Sequence, residues 1–173
     1  YYMDPLAKAL AREARRKGIC DEWYRDLMAL NDKDAMLDMY VRGIDFCLSN
    51  DYPDNDFIRA HFKDTMETHG IYLDDRVNLT NPERCVALGD THGNIHVSGY
   101  AVTEVFAKHD ARLSVTADDH AFVMIDAFDR SEVTVSASDV AKICVNRYGG
   151  ARVVVAPGST GQIKIIEKHK ETY

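Results

Sequence analysis

Among the residues able to do chemistry, Gly89-Asp90-Thr91-His92-Gly93-Asn94 places a carboxylate and an imidazole two positions apart between glycines. Asp and His are ligands for a divalent metal ion, and a metal so held activates water for hydrolysis. One such pair does not assemble a two-metal hydrolytic site. The remaining histidines do not complete it: His61 and His69 fall eight apart on one expected helix, His92 and His96 straddle an expected turn, and His109 and His120 sit near corners of different repeat units. No i, i+4 histidine pair has a third ligand in view, so each is expected to pack or to face solvent and no metal is assigned. No Ser, Cys or Lys has a recognisable base close in sequence, and no catalytic residue or cofactor is expected. Cys20, Cys47, Cys85 and Cys144 lack C-x-x-C spacing and lie inside periodic segments, as buried thiols do in a reducing compartment.

The Gly89–Asn94 segment resembles the first metal-binding motif of calcineurin-type metallophosphoesterases, Gly-Asp-x-His-Gly, in which the Asp and His hold a metal ion. That family also needs a later G-D-x-x-D-R-G and a G-N-H-[DE], and neither occurs here. A metal-dependent hydrolase around Asp90 and His92 therefore stands as an alternative. The expected role of the segment is a glycine-flanked turn leading into a repeat.

That repeat is the element that positions everything downstream of about Ile95. In tens, the chain reads Arg112-Leu113-Ser114-Val115-Thr116-Ala117, Phe122-Val123-Met124-Ile125-Asp126-Ala127 and Glu132-Val133-Thr134-Val135-Ser136-Ala137. Lys142-Ile143-Cys144-Val145, Arg152-Val153-Val154-Val155 and Gln162-Ile163-Lys164-Ile165 continue it. Odd positions are aliphatic, so one side of every strand faces a narrow core and the other faces outward. Asp119, Asp129, Asp139, Gly149 and Ser159 recur between strands, a residue set that tolerates left-handed corners. An antiparallel meander is the competing fold, but its hairpins favour Asn-Gly or Asp-Gly, whereas these corners read Asp-Asp-His, Asp-Arg-Ser and Asp-Val-Ala. The spacing predicts a parallel β-solenoid.

Outward residues match at twenty rather than ten. Ser114, Thr134 and Val154 correspond, as do Thr116, Ser136 and Ala156, while the intervening strands carry Phe122, Met124, Asp126 and Phe128, then Lys142, Cys144, Asn146 and Tyr148. The coil is thus expected to hold about twenty residues and two unlike faces. Phe128 and Tyr148 should stack in one column, and Arg112, Glu132 and Arg152 should align as a charge ladder. The charged tail Glu167-Lys168-His169-Lys170-Glu171 is expected to guard the last open edge against end-to-end growth.

The N-terminal half reads helical. Asp4-Pro5 starts a first helix that Gly18 ends, Asp21 is placed to cap a second, and Asp32 or Asp34 opens a third that runs through Met36, Tyr40, Ile44, Cys47 and Leu48. Ser49–Asn55 reads as a turn, a fourth helix is expected from Asp56 to Thr68, and Ile71–Leu73 and Val77–Leu79 look extended. Tyr1 and Tyr2 precede Met3 and read as additions ahead of the natural start. The fold class is α+β, with a small helical bundle over 3–80 and the solenoid over 84–173.

A net charge of -7 without clustered Lys and Arg argues against a nucleic-acid partner; the one basic cluster, Arg12, Arg15, Arg16 and Lys17, fits a solvated helix face. No run of about 18 apolar residues reads as a membrane span, and no apolar leader is apparent. A cytoplasmic protein, or one assembled inside the cell into a larger particle, is expected.

The helical start, with Gly18-Ile19-Cys20-Asp21-Glu22-Trp23-Tyr24 and Gly43-Ile44-Asp45-Phe46-Cys47-Leu48-Ser49-Asn50, together with a repeat ending Lys164-Ile165-Ile166-Glu167-Lys168, resembles uncharacterised β-solenoid proteins of gut bacteria and their phages or mobile elements. The resemblance brings no activity with it. From the residues themselves, a non-enzymatic interaction module is expected, self-associating as a homo-oligomer or docking a protein through Phe106, Phe122, Met124, Phe128, Cys144 and Tyr148. The Ser and Thr face resembles in outline the flat arrays of ice-binding solenoids but is interrupted by Val154 and Ala156. A carbohydrate-binding solenoid is the remaining alternative.

Overall fold

A computed structural model describes residues 4–173, which divide into two compact units at His69 and Gly70. The expectation for Tyr1 and Tyr2 lies outside the described residues.

The first unit holds five helices: α1 (Pro5–Arg16), α2 (Asp21–Met28), α3 (Lys33–Arg42), α4 (Ile44–Asn50) and α5 (Asn55–His61). Asp4 caps α1 by accepting from the Leu6 N–H at 2.8 Å, and Asp32 and Asp54 do the same for α3 and α5. Asp21 is the first residue of α2 rather than its cap, since Cys20 occupies the capping position. Ala7, Leu10, Ala11 and Ala14 bury one face of α1, and Met36, Leu37, Met39, Cys47, Leu48, Ile58 and Phe62 complete the apolar centre. The Tyr52 hydroxyl donates to the Leu10 carbonyl at 2.7 Å, a buried tie over long sequence distance.

Two helical expectations are corrected. The third helix is broken at Gly43, where an added Cβ would lie 2.9 Å from the Trp23 ring; the apolar periodicity continues across the break and hid it. The fourth stops at His61, and a separate 3-10 turn covers Met66–His69. His61 and His69 therefore do not share a helix, and His61 is exposed. His69 instead reaches Asp34 and Asp38 of α3, at 2.9 and 3.1 Å.

The second unit is a parallel β-solenoid. Its strands are β1 (Ile71–Leu73), β2 (Arg76–Thr80), β3 (Arg84–Leu88), β4 (His92–Val97), β5 (Val102–Ala107), β6 (Arg112–Ala117), β7 (Phe122–Ala127), β8 (Glu132–Ala137), β9 (Lys142–Arg147), β10 (Arg152–Val155) and β11 (Gln162–Glu167). One sheet runs β1-β3-β5-β7-β9-β11 and the other β10-β8-β6-β4-β2, every neighbour parallel. Antiparallel pairing is thereby excluded. From β3 and β4 onward each strand pairs with the one twenty residues later, as in Arg112 opposite Glu132 and Phe122 opposite Lys142.

The coils begin at Ile71, upstream of the repeat visible from about Ile95. The first coil escaped notice because it is short: Ile71 lies opposite Val86 and Arg76 opposite His92, offsets of fifteen and sixteen. Inside, Val123, Ile125, Val133, Val135, Val145 and their neighbours form a narrow, buried aliphatic stack. His92 and His96 both lie on β4, not across a turn.

Corners are left-handed at Gly89, Gly99, His109, Asp119, Asp129, Asp139 and Gly149, all with φ between 55° and 64°. Aspartate has a second duty there. Asp119 Oδ2 accepts from the Gly99 N–H, Asp129 Oδ2 from His109 and Asp139 Oδ2 from Asp119, each at 3.1 Å. His109 Nδ1 accepts likewise from the Gly89 N–H at 3.0 Å. Each of these four side chains thus binds the backbone of the coil before it, whereas Asp74 and Asn81, at the left-handed corners of the first coil, accept from the Asp90 and Ser98 N–H groups of the coil after. Ser159 departs from the expected set: the positive φ falls on Gly158, and the Ser159 hydroxyl instead donates to Ala137 O and accepts from Ala137 N–H.

In the last coil Val155 and Ile165 are 46% and 40% exposed, whereas the equivalent Val135 and Val145 are buried. The charged tail runs beside the corner at Gly149, whose N–H donates to Lys170 O, and Arg147 pairs with Glu167.

Candidate functional site: the large-residue sheet face

Alternation along β5, β7 and β9 sends even-numbered side chains outward, and the twenty-residue register stacks them in columns. Val102, Phe122 and Lys142 form the first column; Glu104, Met124 and Cys144 the second; Phe106, Asp126 and Asn146 the third. Asn146 Nδ2 donates to Asp126 Oδ1 at 2.8 Å, a cross-strand bond within the third column. At the corner beyond, Phe128 and Tyr148 stack with ring centroids 4.6 Å apart and 18° between planes. Lys108 extends this column, its Nζ 5.5 Å from the Phe128 ring centre and 3.1 Å from Asp129 Oδ2. Desolvation, and secondarily the Asp126 carboxylate, pushes the Tyr148 hydroxyl above its usual range.

The six residues picked out from the sequence therefore share one face, but not one environment. Phe106, Phe128 and Tyr148 are buried, Phe122 and Cys144 are half-buried, and Met124 is 45% exposed. An apolar strip that the sequence reading passed over lies toward the strand starts: Tyr100 at 80% exposure, Val102 at 60% and Val140 at 60%, with His120 stacked on Tyr100. Tyr100, His120 and Val140 occupy the same corner position in successive coils. The signal was present in the ten-residue alignment, one position after the corner aspartates.

The opposite sheet shows its expected small residues in register, Ser114 with Thr134 and Val154, Thr116 with Ser136. Arg112, Glu132 and Arg152 also align as a column. Arg112 has a further contact at 3.7 Å with Asp90.

The Gly89–Asn94 motif is consumed by the coil. Gly89 has φ +63° and Gly93 approaches Val77 so closely that an added Cβ would fall 1.8 Å from its carbonyl oxygen. Thr91, fully buried, donates to Leu88 O at 2.7 Å. The Asp90 carboxylate faces Arg112, and His92 Nδ1 lies 3.4 Å from the Asp90 carbonyl oxygen, not its carboxylate. No cluster of three metal donors forms around Asp90 or His92 among the described residues.

Burial pushes the thiols of Cys47 and Cys85 up, that of Cys85 to about 12, while Cys20 is exposed and Cys144 half-buried. Among the described residues no helix is long and apolar enough to cross a membrane. No protein-family model, curated protein or solved structure matches the chain.

Proposed function

We propose that the protein is a non-enzymatic scaffold whose β-solenoid presents the large-residue sheet face to a protein, either a partner chain or a second copy. The observation that supports it is the column register: it holds Val102, Phe122 and Met124 side by side with apolar groups in water, and clustered exposed apolar groups mark docking surfaces. Phe106, Phe128 and Tyr148 form the packed inner border, and Cys144 lies directly beside Met124. A parallel stack braced at every corner suits this role, because the surface keeps its shape without a bound partner. We place the protein inside the cell, in the cytoplasm or in a particle assembled there, as in phages or mobile elements of gut bacteria. Four free cysteines accord with a reducing compartment.

Size-exclusion chromatography with light scattering over a concentration series tests the reading. The chain should show concentration-dependent association or net self-attraction, and Met124→Asp, at an exposed position, should abolish it while circular dichroism stays unchanged. A strict monomer whose Met124→Asp and Phe122→Asp variants match it in mass, self-interaction and solubility removes the proposal.

A further inference from the structure

The two ends of the solenoid differ. At the N-terminal end the inward Tyr72 and Val77 belong to the buried core. At the C-terminal end β10 closes one wall and β11 the other, each paired on one side only. There the core-facing Val155 and Ile165 are exposed, and Val153 and Ile163 are half-buried beside them. The tail stacks on the corner at Gly149 through Lys170 O and pairs with neither edge strand.

Backbone direction is the second observation. Even residues in and just beyond β10 and β11 donate back into the preceding coil: Arg152 to Ser131 O, Ala156 to Val135 O, Gln162 to Ala141 O and Lys168 to Arg147 O. Amides alternate in direction along a strand, so Val153, Val155, Ile163, Ile165 and Glu167 aim their N–H and C=O groups out of the end, where no described strand lies. Such an edge is a template for another strand. A single foreign strand would cover one wall and leave the other open, whereas a second copy brings both walls at matching separation. Because the opposite end is closed, the copy meets this end with its own. A two-fold axis perpendicular to the walls then pairs β10 with β10 and β11 with β11, both antiparallel.

We propose that the C-terminal end is a self-complementary interface at which two copies join edge to edge into a closed dimer. Odd residues must meet odd ones, because these carry the outward amides and keep core-facing side chains on the core side. Charge then selects the register. Centred on Ile165, β11 sets Lys164 opposite Ile166 and Lys168 opposite Gln162, whereas moving the centre by one residue sets Lys164 opposite itself or opposite Lys168. The chain carries -7, but the edge strands themselves hold Arg152 and Lys164 against Glu167, so the acidic surplus lies away from the joint. This surface is separate from the sheet face, and the proposal does not rest on the docking reading given above.

Sedimentation equilibrium on the full chain should show a monomer–dimer equilibrium, and in Met124→Asp, which disables the sheet face, the dimer should persist and nothing larger should form. Ile165→Lys and Val155→Lys place a cation on the mating strands and should weaken dimerisation about tenfold or more with circular dichroism unchanged. Ile163→Pro deletes an N–H that the single chain leaves unused and should act alike. In a Cys20→Ser background, Lys164→Cys with Ile166→Cys should form an intermolecular disulfide under mild oxidation, and Ile166→Cys alone should not. A dimer indifferent to both Ile165→Lys and Ile163→Pro, or no cross-link in the double variant, overturns the proposal. So does a strict monomer, which leaves the edge to a foreign strand. A dimer lost in Met124→Asp and kept in Ile165→Lys moves self-association to the sheet face, which sinks this inference and leaves the docking reading standing.

Discussion

Asp119 is the cleanest place to measure what a corner aspartate contributes. It is exposed, adopts φ +55°, accepts from the Gly99 N–H through Oδ2, and donates its own N–H to Asp139 in the next coil. Replacement by Ala removes the acceptor and leaves a side chain that resists the left-handed region, which costs an ordinary residue about 1 kcal/mol. The hydrogen bond contributes about 1 kcal/mol net, taken from the lower part of the range because water reaches the freed Gly99 N–H. Asp119→Ala should therefore lose about 2 kcal/mol. Asp119→Gly keeps the backbone at ease but forfeits the acceptor and adds unfolded-state freedom, for a loss of about 1 kcal/mol. Asp119→Asn retains both an acceptor and left-handed tolerance and should stay within about 0.5 kcal/mol of the parent. Urea unfolding followed by far-ultraviolet circular dichroism ranks the three, with unchanged slopes confirming that the folded state is the same. If Ala proves as stable as Asn, or Gly matches the parent, the corner ladder contributes nothing and the account given for the aspartates is wrong.

Ser131 is fully buried and its hydroxyl has no hydrogen-bond partner among the described residues, while Ala111 and Ala151 fill the same position in adjacent coils. Ser131→Ala should thus raise stability by up to about 1 kcal/mol, and a clear loss in urea unfolding would reveal a hidden partner. Thiol labelling at pH 8 should modify Cys20 at once, Cys144 slowly, and Cys47 and Cys85 only after denaturation, because burial keeps the last two protonated. Early labelling of Cys85 contradicts the closed core. The Arg130 guanidinium, bonded to both Asp110 oxygens at 2.7 and 3.0 Å, holds that carboxyl below its usual range. The pair's contribution is therefore present above the ordinary carboxylate range and disappears as pH falls through the lowered value. Carboxyl carbon-13 titration should show Asp110 returning to the ordinary range in Arg130→Ala, and no movement counts against the pairing.

The solenoid was legible because its period survives in single residues. Val123, Val133, Ile143 and Val153 recur at ten, and only a chain that turns alike at every corner keeps such a count. The Phe128 and Tyr148 stack followed directly from the twenty-residue match. What escaped did so where geometry departs from the period. The short first coil shifts β1 and β2 out of phase with the tens, and Gly158 displaces the last corner from Ser159. Gly43 breaks a helix without interrupting its apolar spacing, so periodicity alone could not mark it. On the candidate surface, alternation identified which residues face outward, yet it says nothing about which outward residues meet other atoms. Phe106 and Met124 both alternate outward and differ sharply in exposure. Tyr100 stands out only through its exposure, which alternation does not report.

Because the corner braces and the sheet partners both reach twenty residues along the chain, length in this protein comes in whole turns. Excising 112–131 joins Ala111 to Glu132 and leaves every remaining strand on its own side, with Ala111 taking the place of Ser131. Removing ten residues instead sends each later strand to the opposite wall, exchanging the aromatic and hydroxyl faces partway along. From β3 onward the solenoid is a ruler graduated in twenties, and that stretch lengthens or shortens without redesign only by that increment.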